Sequence, residues 1–134
     1  MLAHVWFQRG PALFCEDEPN YPAWQIPAGG FWSYHAAARM EALTSGVFVV
    51  KVLQVALRTL FLEEGAAVVQ GRVKSTNLAS VTMHERMGFR RFGTLVAVSV
   101  QGVRWLSWKG DAGPYHRLGR RRPGAVLTLP PSTA

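Results

Sequence analysis

Residues 75–91, STNLASVTMHERMGFRR, read as a short capped helix that stops on a glycine and hands over to a strand. Thr76 or Asn77 supplies the N-cap, because a short polar side chain there can accept from a free N–H of the first turn. Met83 and Met87 stand one turn apart on the side expected to face the core, and Gly88 falls where a left-handed residue ends a helix. The same stretch sets Asn77, Ser80 and His84 three and four residues apart, so Ser80 and His84 share one face. A helix here, between β-rich runs, makes the chain a mixed fold rather than an all-β one.

Outward to the C-terminal side, FGTLVAVSVQGVRWLSWK (92–109) has the form of a hairpin, two β-rich runs joined by Gln101-Gly102. Trp105 and Trp108 differ by three, so on a regular strand they face opposite sides, one to the core and the other outward. On the N-terminal side AAVVQGRV (66–73) reads as a strand. From Gly46 to Glu64 the pattern is helical, with Val49, Leu53, Ala56, Leu57 and Leu60 on one face and Lys51, Arg58 and Glu63 off it, and Gly65 is placed to end it. FWSYHAAAR (31–39) reads as a strand with an aromatic start. Residues 5–8 and 12–16 read as two short strands around the turn RGP. Between them and the aromatic strand, DEPNYPAWQIPAGG (17–30) holds three prolines and is expected to be loop. Residues 110–134 have no sustained period and are expected to be a disordered basic tail containing Pro and Gly. The expectation is one α/β (α+β) domain over residues 1–109. It has a mixed, mostly antiparallel sheet, a central helix and a second short helix packed on it.

Composition narrows the class. At 134 residues and 49% hydrophobic content the chain can bury a core of its own. Cys15 is the one cysteine, which leaves no disulfide framework and no Cys/His spacing of a zinc site, so no structural metal is expected. The start, MLAHVWFQRG, lacks the pattern of a secretory signal. The most apolar segment is interrupted by Lys51, Gln54 and Arg58 before it reaches the roughly 20 residues of a bilayer span. A cytoplasmic protein with no membrane partner is therefore expected. Of the formal charge of +7, most sits in residues 109–134, where Lys109, Arg117, Arg120, Arg121 and Arg122 face Asp111 alone. Such a tail can hold nucleic acid, but basic ends of this composition are more often solvated chain.

The spacing Asn77, Ser80, His84, Gly88-Phe89 resembles the last helix of the GNAT superfamily of acyl-CoA-dependent N-acyltransferases. That family typically has Asn, a small residue at plus three, Tyr at plus seven and Gly-Phe at plus eleven and twelve; His84 takes the Tyr place. RRFGTL (90–95) is similar to the strand that follows in many members. Counting back, AAARMEALTSGVFVVKVL (36–53) falls on the family's strand, pyrophosphate loop and central helix. Gly46 takes the loop's first glycine position, Leu43 stands where Gln or Arg is usual, Thr44 lies beside it, and Phe48 replaces the final Gly or Ala. The resemblance covers about residues 34–109 and leaves no room before His4 for the family's first strand and two helices.

The resemblance implies transfer of an acyl group, acetyl first among them, from acetyl-CoA to an unidentified amine by direct attack, with no metal. It implies that Ser45, Gly46, Val47 and Phe48 meet the CoA pyrophosphate, where free N–H groups and the helix dipole favour negative charge. Asn77 and Ser80 would hold the CoA arm, and a backbone N–H near Ala38 would polarise the thioester carbonyl. His84 would protonate the departing thiolate, a step open to imidazole near neutral pH. Glu16, Tyr34 and His35 are the candidates for accepting the amine's proton. Each has a plainer account: Asn77 as an N-cap worth about 1 kcal/mol, His84 as a surface residue beside Glu85 and Arg86, Tyr34 as core, Glu16 in a solvated turn. Two other readings stand beside this one: a shortened, non-catalytic relative, and a nucleic-acid module using the tail. An open sheet edge would also invite a homodimer or a partner chain.

Overall fold

The computed structural model describes residues 3–15, 23–38, 47–111, 115–119 and 126–128. Its elements are β1 (Ala3–Arg9), β2 (Ala12–Phe14), β3 (Ala23–Ile26), β4 (Gly30–Ala38), α1 (Val47–Leu62), β5 (Val68–Gly71), α2 (Leu78–Arg86), β6 (Gly93–Val100), β7 (Val103–Gly110), β8 (Tyr115–Gly119) and β9 (Val126–Thr128). The chain is a mixed α+β fold whose strand pairs are mostly antiparallel. Among the described residues the strands form three sheets of three strands, ordered β1-β4-β5, β2-β3-β9 and β6-β7-β8. β4 and β5 run parallel, and α1 is the element between them in the chain, as a parallel connection requires.

The sheet β1-β4-β5 is buried from both sides because residues alternate across each strand. Phe31 of β4 and Val69 of β5 are register partners and pack with Leu60 of α1, joined by Phe7, Leu57 and Phe89. The next residues, Trp32 and Gln70, are also partners, and Trp32 joins Trp24, Ile26 and Trp108 in a second cluster. There Trp24 stacks on Trp32 at 5.2 Å between ring centroids and meets Trp108 edge-on at 5.3 Å. The hairpin joins this cluster through Trp108 and Leu95, which are themselves partners. Trp108 lies so close over Gly93 that a Cβ there would collide with its ring. The β6–β7 turn carries positive φ at both Gln101 (48°) and Gly102 (76°), the type I′ geometry that suits the twist of paired strands.

The helices and the hairpin lie where the sequence places them. α1 buries Leu53 and Leu60 and half-buries Val49, Ala56 and Leu57, while Lys51, Arg58 and Glu63 are exposed. Trp108 is buried and Trp105 exposed, on opposite sides of β7. One expectation is corrected: residues 17–30 are not all loop. β3 lies inside them, pairs with β2, and buries Trp24 and Ile26. Pro22 and Pro27 flank this four-residue strand instead of interrupting it, so no proline removes a ladder donor within it. The basic C-terminal segment, expected to be without elements, contributes β8 beside β7 and β9 beside β3. Met83 and Met87 are half-buried, and α2 has no fully buried residue.

Candidate functional site

β5 pairs with β4 only along Gly30–Ser33, whereas β1 pairs with β4 as far as Ala38. Over Tyr34–Ala38, therefore, no strand among the described residues takes up the side of β4 that β5 has left. The carboxyl ends of parallel strands, where a sheet opens in this way, are the usual place for a ligand crevice in α/β proteins. A cleft of about 850 Å³ reaches the end of this pairing, at Ser33 and Gly71; Arg72, Lys74, His84 and Arg91 are among its other lining residues. Arg90 also lines it, so among the described residues the cationic side chains outnumber the lining carboxylate, Glu85. At the surface Arg90 pairs with Asp111 at 3.4 Å and Arg91 with Glu85 at 3.5 Å. Both pairs are largely exposed, where such contacts are weak and can yield to a bound anion.

α2 forms one wall, and its ends explain why it forms at all. Asn77 is the N-cap; its Oδ1 accepts from the Ser80 N–H at 3.1 Å. At the other end Gly88 has φ of +89°, the Phe89 N–H donates to the His84 carbonyl at 3.0 Å, and the Gly88 N–H donates to the Glu85 carbonyl at 3.0 Å. This is the Schellman arrangement, and its accompanying side-chain contact is the His84 ring meeting Phe89 edge-on at 5.2 Å. The His84 Nδ1 lies 2.7 Å from the Ser80 carbonyl oxygen and 3.4 Å from Ser80 Oγ. A carbonyl only accepts, so Nδ1 carries the hydrogen and Nε2 is the nitrogen left for proton exchange.

Of the residues singled out in the sequence, Asn77, Ser80 and His84 are brought together along α2, and His84 is the one of the three that lines the cleft. Tyr34 is on β4 just past the last β5 pair, half-exposed, with its ring 5.5 Å from Phe14; it is not among the cleft-lining residues. Ala38 ends β4 opposite Ala3, and Val47 opens α1. Phe48, in the first turn of α1, is half-buried and does not line the cleft. Glu16, Ser45 and Gly46 lie outside the described residues.

The cleft also holds residues that sequence reasoning passed over. Trp24, Gln70 and Trp108 line it, and Trp24 Nε1, Gln70 Oε1 and Trp108 Nε1 have no hydrogen-bond partner among the described residues. Each such buried polar atom costs about 1–3 kcal/mol. For Gln70 a signal was present: a polar side chain closing the apolar run AAVVQ, on a stretch that reads as a strand. Arg72 and Lys74 follow the end of β5; the sequence places Arg72 within a strand over residues 66–73, and nothing in that pattern marks either as lining a cleft. Among the described residues no helix is long and apolar enough to cross a membrane. No protein-family model, curated protein or solved structure matches this chain.

Proposed function

We propose that the cleft takes an acyl-CoA thioester and passes its acyl group, acetyl in the simplest case, to an amine. The observation that carries this reading is the parting of β4 from β5 after Ser33, which leaves an extended segment beside a cleft lined by Arg72, Lys74, Arg90 and Arg91. An unpaired strand edge is a template for an extended, amide-bearing group, and the pantetheine arm of CoA is one. The cationic lining suits its phosphates. The resemblance of residues 77–89 to the GNAT helix points the same way.

On this reading a backbone N–H of Tyr34–Ala38 polarises the thioester carbonyl. The amine's lone pair forms the new N–C bond, and the C–S bond breaks with its electron pair passing to sulfur. One proton must then travel from nitrogen to sulfur. His84, with Nδ1–H committed to the Ser80 carbonyl, takes that proton on Nε2 and returns it to the thiolate.

Thermal-shift titration with acetyl-CoA, CoA and ADP tests the binding step, alongside a Lys74→Glu variant. A ligand at about 100 times Kd stabilises the folded state by roughly 2.7 kcal/mol, enough to raise the melting temperature visibly. Both CoA species should raise it, and the variant should need more ligand for the same rise. A cooperatively folded protein that neither CoA species stabilises would exclude the reading. Stabilisation without release of free CoA from acetyl-CoA in an amine mixture would leave a binding protein, not an enzyme.

A further inference from the structure

β6 lies at the edge of its sheet among the described residues, with β7 as its one partner strand. It is eight residues long, and nothing in its sequence discourages pairing at that edge. GTLVAVSV contains no charge and no proline, and its register with β7 runs without a bulge. Natural proteins blunt exposed edges with those very devices. Along one face Val96, Val98 and Val100 are 47%, 46% and 63% exposed. The other face carries Leu95, packed on the tryptophan cluster, and the small residues Ala97 and Ser99.

The hairpin fixes which backbone groups β6 offers. In a type I′ turn the Val100 carbonyl and the Val103 N–H close the loop, so Val100/Val103 is a hydrogen-bonded pair. Pairs alternate along an antiparallel ladder, so Val98/Trp105, Val96/Ser107 and Thr94/Lys109 are also bonded pairs. The N–H and C=O of Gly93, Leu95, Ala97 and Ser99 then point away from β7, toward the open edge.

We infer that β6 is the contact of a two-fold dimer in which it pairs antiparallel with the same strand of a second copy, the axis passing beside Ala97. In that register Ala97 faces the partner's Ala97, and Leu95 faces the partner's Ser99. Leu95, Ala97 and Ser99 of each chain thus form bonded pairs. Val96 and Val98 face each other across the junction, as β-branched pairs that suit a sheet surface. Ala97 puts one methyl group at the axis, where two identical side chains must meet. The charge of the chain is no obstacle at this strand: two copies at +7 repel, but residues 92–103, which carry the β6 edge, are uncharged. The product is a continuous six-stranded sheet with an isologous interface.

Sedimentation or light scattering should give about twice the 14.8 kDa chain mass, and Val98→Lys should return it to the monomer mass with an unchanged circular dichroism spectrum. Val55→Lys, at an exposed valine on α1, should leave the doubled mass intact. The register has its own test in a Cys15→Ser background, which removes the exposed native thiol. Mild oxidation should cross-link an Ala97→Cys variant and leave a Ser99→Cys variant uncross-linked, and this reads the contact even if Val98→Lys fails to fold. A monomer at 100 µM overturns the inference, whether that edge is bare or covered by the chain's own residues. So does a dimer that Val55→Lys dissociates, or one in which Ser99→Cys cross-links and Ala97→Cys does not.

Discussion

The two helices are held in opposite ways. α1, with sixteen residues, is fixed by what it buries: Leu53 and Leu60 enter the interior, and Leu60 seals the Phe31–Val69 side of the sheet. α2, with nine residues and none fully buried, is fixed at its ends, by the Asn77 cap and by the Gly88 turn. A helix this short is marginal without tertiary burial, so its terminal hydrogen bonds carry a large share of its stability. The difference bears on function because α2 is the wall that brings His84 to the cleft. Asn77 and His84, which stand out as candidates for chemistry, are also the side chains that hold the two ends of this nine-residue helix.

The contrast can be broken most strongly at α1. Leu60→Ala should lower the unfolding free energy by about 2–5 kcal/mol in urea denaturation, the range for a large-to-small change in a packed core. A loss below 1 kcal/mol would mean that α1 does not depend on that contact. Gly88→Ala comes next, because φ of +89° forces a Cβ into left-handed backbone at a cost of about 1–2 kcal/mol. Among the described residues no atom crowds the site, so backbone conformation sets that cost.

Asn77→Ala should cost about 1 kcal/mol, the usual value of an N-cap. Its signature is local: amide hydrogen exchange should quicken over residues 78–86 and stay unchanged over residues 53–60 of α1. Equal acceleration in both helices would show that they open as one unit and that the distinction drawn here is false.

How much of this was legible depends on the kind of signal. Periodicity marked α1 because Leu53 and Leu60 repeat at helical spacing, and turn chemistry marked the hairpin because Gln101-Gly102 is a type I′ pair. β3 was hidden because four residues between two prolines offer too little alternation to read; Trp24 and Ile26 identify themselves only once β2 and β9 lie alongside. β8 and β9 were hidden for a related reason, since a basic segment without a period has no local propensity that announces pairing to β7 or β3. The face of α2 was readable from spacing, whereas the cleft was not. It arises where β5 stops pairing with β4 after Ser33, a feature of register and not of composition.

The smallest expected effect on stability separates the two accounts of His84. Its ring packs on Phe89 as the side-chain contact of the Schellman turn, and its Nδ1–H returns to the Ser80 carbonyl. His84→Leu retains an apolar contact with Phe89 and leaves the carbonyl with its helical partner, so the unfolding free energy should change by no more than about 0.5 kcal/mol. On the proposed reading acyl transfer should fall by about 10²–10⁴-fold, the usual worth of a positioned acid–base group, while acetyl-CoA should stabilise the variant and the unaltered chain equally. Unchanged turnover would reduce His84 to its place in the helix turn. A large loss of stability with proportionate loss of turnover would say that the ring acts by holding α2, and proton exchange would have to be sought at another residue lining the cleft.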